Sequence, residues 1–165
     1  ISMMIILYDG QCLFCEGWVK FVIRYKSKED LKFIPIQFSD LDSKNHLLGH
    51  DYPSIVVIDS VKDKIYFNTE ASLAVMKTLS KGFGLLALIL SKFPKFLGDY
   101  VYRFIGRNRH KIFGTKDICE VPSSMDRSFF IESIEQAHAL YKKESVDFKK
   151  LNTLVTKKYS DGNLN

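Results

Sequence analysis

The chain has 165 residues, 46% hydrophobic and 26% charged, a balance that suits one domain with its own core and excludes wholesale disorder. Three cysteines are too few for a disulfide-stapled secreted scaffold and fit a reducing compartment, the cytoplasm, with one reversible pair. The net charge of +5 is concentrated: from Lys92 to Lys116 seven basic residues face Asp99 alone, an excess suited to an acidic partner, a phosphate or an anionic lipid surface.

The first segment, Ile1 to Leu7, is apolar but lacks a basic flank and a small-residue cleavage site, so it reads as a strand and not a signal. Residues 3–8 form a continuous apolar run, as expected for a strand buried on both faces, and Asp9-Gly10 ends it. A helix follows, with Phe14, Trp18, Phe21, Val22 and Tyr25 at helical spacing and Glu16, Lys20 and Arg24 four apart on the other face. After a charged connection, residues 31–36 read as a second strand. Pro35 lacks a ladder donor and places it at a sheet edge.

Ser39 to Gly49 reads as a short helix or an irregular crossover. Tyr52-Pro53 then leads into the β-branched strand of residues 54–59, which a turn folds back on residues 64–68 as a hairpin. Asn68 or Thr69 is positioned to cap a helix burying Leu73, Met76 and Leu79, with Gly82 just past its end. Strand, helix, strand, crossover and hairpin together predict an α/β fold with a four-stranded mixed sheet flanked by helices.

Beyond Gly82 the chain reads as helical. The run from Leu85 to Leu90 is far short of the roughly 20 residues of a membrane span. Pro94 opens a helix carrying Phe96, Tyr100, Val101 and Phe104, whose spacing predicts core packing in preference to nucleic-acid stacking. Lys111 to Pro122 reads as loop around Cys119. Further helices are expected from about Asp126 to Tyr141 and from Ser145, the latter with Phe148, Leu151 and Val155 on its buried face.

The candidate chemistry lies in Asp9-Gly10-Gln11-Cys12-Leu13-Phe14-Cys15. Two thiols three positions apart at the first turn of a helix close into a disulfide with little backbone movement, and the unpaired N–H groups there favour the first as a thiolate. Cys12 is therefore the expected nucleophile and Cys15 the resolving thiol. Half of a zinc site is the competing reading, but no second cysteine pair completes it. Asp9 reads equally as a turn former with Gly10 and as a group that exchanges protons with Cys15 or tunes the thiols. Cys119 reads as a buried thiol or as a third redox thiol that accepts the disulfide. Arg107 and Arg109 are candidates to stabilise a thiolate or an acidic substrate group. The four histidines show no pairing pattern.

These residues carry a resemblance. Asp9, Cys12 and Cys15 match the D-x-x-C-x-x-C pattern of the DCC family of predicted thiol-disulfide oxidoreductases. Residues 17–24, Pro35-Ile36-Gln37, Ala71-Ser72-Leu73, the Tyr102 to Gly114 segment and Cys119 are similar to it as well. The resemblance covers residues 4–122 and implies a thioredoxin-like fold, dithiol-disulfide exchange with a protein or small-molecule disulfide, an external thiol reductant or oxidant, and no bound cofactor. It divides the chain into a redox domain, 1–122, and a helical extension, 123–165, packed on the same domain. In a thioredoxin-like fold Pro53 precedes the third strand where a cis-proline faces the thiols, so a cis Tyr52-Pro53 bond close to Cys12 is expected. The alternative is a binding module that presents the basic 92–116 helices to a protein or membrane surface.

Overall fold

A run of apolar residues has no polar face to show to water, and Met3–Tyr8 forms the interior strand β1 of a four-stranded sheet. The computed structural model describes residues 3–26, 30–40, 55–115 and 126–162. β1 pairs parallel with β2 (Asp30–Pro35) on one side and antiparallel with β3 (Ile55–Asp59) on the other. β3 turns back into β4 (Lys64–Phe67), giving the order β2-β1-β3-β4. Pro35 ends the edge strand, opposite Tyr8, where a missing N–H costs least. In the hairpin turn, Asp59 Oδ1 accepts from the N–H groups of Val61 and Lys62 at 3.2 and 3.1 Å.

The two faces of the sheet carry separate cores. Met4, Ile6 and Tyr8 face α1 (Leu13–Tyr25) and α2 (Asn68–Met76), meeting Val19, Val22, Ala71 and Val75. Ile5 and Leu7 point the other way, toward α5 (Ile134–Lys143) and α6 (Phe148–Gly162), where Ala137, Leu140, Tyr141, Leu151 and Val155 close over them. Period-two alternation thus puts successive β1 side chains in different cores. Full burial of each of Ile5, Ile6 and Leu7 contributes about 1.5–3 kcal/mol. Between α2 and α5 run α3 (Lys81–Leu90) and the long α4 (Lys95–Phe113).

The mixed sheet with helices on both faces, the edge position of β2 and the hairpin match expectation. Several details differ. The α1 stripe is rotated, because the groups that reach the sheet are Cys15, Val19 and Val22, leaving Tyr25 exposed. α2 buries Ala71 and Val75, small enough for the helix to lie close to the sheet, while Leu73 and Met76 are half-buried. Neither Asn68 nor Thr69 caps it: Asn68 is its first residue, with φ +52, and the N-cap position is Phe67. The single helix expected from Asp126 is two elements, a 3-10 turn at Arg127–Phe129 and α5. Ser133 starts α5 by accepting from the Gln136 N–H at 3.2 Å. Between them Phe130 pairs with Phe33 at the outer edge of β2.

The largest departure concerns packing. Phe93, Phe96, Tyr100 and Phe104 are not core residues but stand exposed, as do Leu85, Leu88 and Ile89 of α3. Helical periodicity identifies a stripe without saying what covers it. α4 also runs on to Phe113, three residues into the expected loop, and stops where Gly114 takes φ +84, a conformation that favours glycine. Residues 41–49 of the expected crossover lie outside the described residues.

Candidate functional site

β1 delivers Asp9 to the C-terminal edge of the sheet, and the turn through Gly10 and Gln11 brings Cys12 to the N-cap of α1. The Cys12 sulfur does what a capping oxygen does: it accepts from the Cys15 N–H at 3.4 Å. Both thiols are free and buried, Cys12 fully and Cys15 to within 1%. Their protonation is divided between them. The hydrogen bond from the Cys15 thiol is the main reason that the Cys12 pKa falls to about 6; burial opposes the fall, and the Cys15 N–H and the Arg109 charge add to it. The same hydrogen bond, with burial and the Cys12 charge, holds Cys15 well above the usual thiol range. The shifts favour the thiolate form at Cys12 and the protonated form at Cys15.

Asp9 sits against this pair in a saturated network. Its Oδ1 accepts from the Gln11 N–H at 3.0 Å and from Gln37 Nε2 at 3.2 Å, and Gln37 Oε1 accepts in turn from the Gly10 N–H at 3.2 Å. Its Oδ2 accepts from Arg109 Nη2 at 3.2 Å and meets His110 Nε2 at 3.1 Å. Together these donors fill the roughly four acceptor sites of a carboxylate. Because a carboxylate only accepts, we assign the hydrogen of Nε2 toward Asp9. The 3.4 Å approach of Arg109 Nε to the same ring nitrogen is then a contact between donors. Arg109 is 2% exposed, and a buried guanidinium is sustained only by such a partner.

The turn reading and the tuning reading of Asp9 thus describe one residue: Oδ1 holds the turn while Oδ2 holds Arg109 and His110. Arg109 lowers both thiol pKa values and Asp9 raises them. Arg107, by contrast, is exposed. Residues 52, 53 and 119 lie outside the described residues, so the structure places neither Tyr52 and Pro53 nor Cys119.

Two participants have no signal in the spacing of the sequence. His110 is 101 positions from Asp9, so the sequence, in which the histidines show no pairing pattern, gives it no role; His138 likewise meets the distant Asp40 at 2.7 Å. Gln37 belonged to the Pro35-Ile36-Gln37 run that carries the family resemblance, its one visible clue. Above the thiols, Thr115 forms a backbone bridge to Cys12, and the Phe14 and Phe113 rings pack 4.7 Å apart. A disulfide reaches the Cys12 sulfur only after its surroundings open.

The ligating atoms of Asp9, Cys12 and His110 lie within 4.8 Å of one another, a donor set that zinc accepts. The Arg109 guanidinium, however, already occupies the Asp9 oxygen and sets a fixed positive charge where a cation would bind. The residues fit a thiolate better than a metal. A separate cleft of about 520 Å³ between α2 and the α3–α4 connection is lined by Tyr66, Thr69, Leu73, Phe93 and Gly98. It contains neither thiol.

A mixed four-stranded sheet with a C-x-x-C dithiol at the first helix, where its strand ends, defines a thioredoxin-like protein. The chain belongs to the DCC1-like thiol-disulfide oxidoreductase family, which it matches over residues 6–115. It is 34% identical to a chloroplastic DCC family protein of Arabidopsis thaliana over 121 residues, 71% of this chain and 69% of that protein. It is 31% identical to the uncharacterized protein YuxK of Bacillus subtilis over 130 residues, 77% of this chain and 93% of YuxK. No solved structure matches. The match ends before α5 and α6, which form the second core, and among the described residues no helix is long and apolar enough to cross a membrane.

Proposed function

We propose that the protein is a dithiol-disulfide oxidoreductase of a reducing compartment such as the cytoplasm, working through Cys12 and Cys15 on a disulfide-containing protein or small molecule. The observation that carries this reading is the placement of the pair at the start of α1, with the Cys12 sulfur capping the helix by accepting from the Cys15 N–H at 3.4 Å; that setting lowers the Cys12 pKa to about 6 and raises that of Cys15. The Cys12 thiolate attacks one sulfur of the substrate disulfide, forming a mixed disulfide and releasing the other sulfur as a thiolate. Cys15 then loses its proton and attacks the Cys12 sulfur. The Cys12-Cys15 disulfide forms, the second substrate thiolate leaves, and two electrons have passed to the substrate. An external dithiol returns the protein to its reduced form.

Cys15 needs a base, and Asp9 is the buried carboxylate beside the pair. His110 shares that carboxylate and is 33% exposed against 8% for Asp9; once Asp9 is protonated and becomes the donor, the ring takes the tautomer with Nε2 free to accept that proton, and releases one to solvent from Nδ1. Arg109 holds Asp9 in place and adds positive charge near the Cys12 thiolate.

Alkylation of the reduced protein against pH tests the reading. The rate at Cys12 is expected to rise through about pH 6 and then level, because only the thiolate reacts. The folded-state pKa lies below the ordinary thiol value of 9.0, so the reduced fold binds fewer protons than the unfolded chain across that window. It gains stability as pH rises from about 6 toward 9 and loses that gain as pH falls through about 6. Cys12→Ser is expected to remove both effects and abolish disulfide exchange, and Cys15→Ser to accumulate mixed disulfides on Cys12. Half-alkylation near an ordinary thiol pKa would reject the assignment.

A further inference from the structure

The exposed apolar face of α3 and α4 takes no part in the thiol chemistry. On α3, Ala87 is buried while Leu85, Leu86, Leu88, Ile89 and Leu90 stand 41–61% exposed. At about 100° per residue these five sweep an arc of roughly 200°. On α4, Phe96, Tyr100 and Phe104 recur every fourth residue at 76%, 70% and 59% exposure, with Leu97 and Val101 beside them. Exposed apolar side chains on this scale on two successive helices mark a binding face.

The charge around that face is predominantly positive. Arg103 borders the α4 arc, Arg107 and Lys111 continue the same face at four-residue spacing beyond Phe104, and Lys92 lies at the connection between the helices, while Lys95, at the start of α4, pairs with Glu70 at 2.8 Å. Asp99 is the lone acidic residue in the segment.

We propose that α3 and α4 lie in the plane of an anionic lipid surface, their apolar arcs in the acyl boundary and their basic side chains at the headgroups. Two observations favour lipid over a protein partner. A folded partner covers one face of a helix, whereas fluid acyl chains cover the wide arc that α3 exposes. The lysines and arginines around the face complement anionic headgroups and have long apolar stems that reach outward from a buried helix. Neither helix spans a bilayer, so the association is interfacial. The proposal rests on these two helices alone, and a failure of the thiol assignment leaves it standing.

Flotation of the full chain with vesicles tests it, comparing pure phosphatidylcholine with an anionic mixture of about three parts phosphatidylcholine to one part phosphatidylglycerol. Binding to the anionic vesicles is expected, at least about tenfold weaker on pure phosphatidylcholine and at about 0.5 M salt. The double variant Phe96→Ser/Phe104→Ser should lose at least about tenfold in binding, with circular dichroism and thiol titration unchanged. Arg103→Glu/Lys111→Glu should lose binding to anionic vesicles specifically. Absence of wild-type binding at low salt overturns the proposal, as does undiminished binding by the serine variant. A wild-type dimer that the serine variant converts to monomer, with no vesicle binding by either, reassigns the face to a contact between two copies of the chain and overturns it too.

Discussion

At the N-terminal end of α4, Phe96 and Tyr100 are 76% and 70% exposed, whereas at its C-terminal end Arg109 is 2% exposed. One helix therefore carries large apolar side chains outside and one of its three arginines inside. The difference is in what answers each unfavourable placement. Arg109 is answered within the fold by the Asp9 carboxylate at 3.2 Å, since removing a guanidinium from water costs several kcal/mol unless a charge and hydrogen bonds replace the water. The aromatic end finds no such answer in the described part of the chain. One end has its partner built in and the other presents a surface, so substitutions should separate the two.

The largest effect is expected at the buried end. Arg109→Ala removes the cation that compensates Asp9 and should lower unfolding stability by about 3–5 kcal/mol, measured by urea denaturation. It should also raise the Cys12 pKa, since the Arg109 charge lowers it. A loss of less than about 1 kcal/mol would mean that the contact adds no more than an exposed ion pair.

An intermediate effect is expected at the neighbouring position. His110→Gln keeps a donor toward Asp9 but removes the group that exchanges protons with solvent. In stopped-flow assays, release of the second substrate thiol should slow by about 10²-fold, while formation of the mixed disulfide and the Cys12 pKa stay unchanged. Equal slowing of both steps would assign His110 a purely structural part.

The smallest effect is expected at the exposed end. Phe96→Ser should change the stability of the protein in solution by no more than about 0.5 kcal/mol, even though an aromatic side chain is lost. A change of several kcal/mol in the same urea experiment would show that Phe96 packs against protein, and the contrast between the two ends would disappear.

Much of the scaffold is legible in local sequence. The apolar run of β1 has no polar face, Pro35 has no donor to give an inner ladder, and the β-branched residues of β3 meet a charged turn before β4. Asp9, Cys12 and Cys15 are legible for a similar reason, because one turn and one helix N-terminus bring them together within seven residues. The α1 face is legible only to within a rotation. Phe14, Trp18 and Phe21 have the right spacing, yet close approach to the sheet favours the smaller Cys15, Val19 and Val22.

The sequence by itself determined the succession of strands along the first half, the edge position of β2, the hairpin and the thiol pair, because each depends on contacts between near neighbours or on backbone chemistry that a residue carries with it. Tertiary structure alone decided that Gln37, Arg109 and His110 meet at Asp9, that β1 alternates between two cores, and that the aromatic stripe of α4 faces outward. Spacing along a helix says which residues share a face, but whether that face meets protein or solvent depends on where the other elements pack.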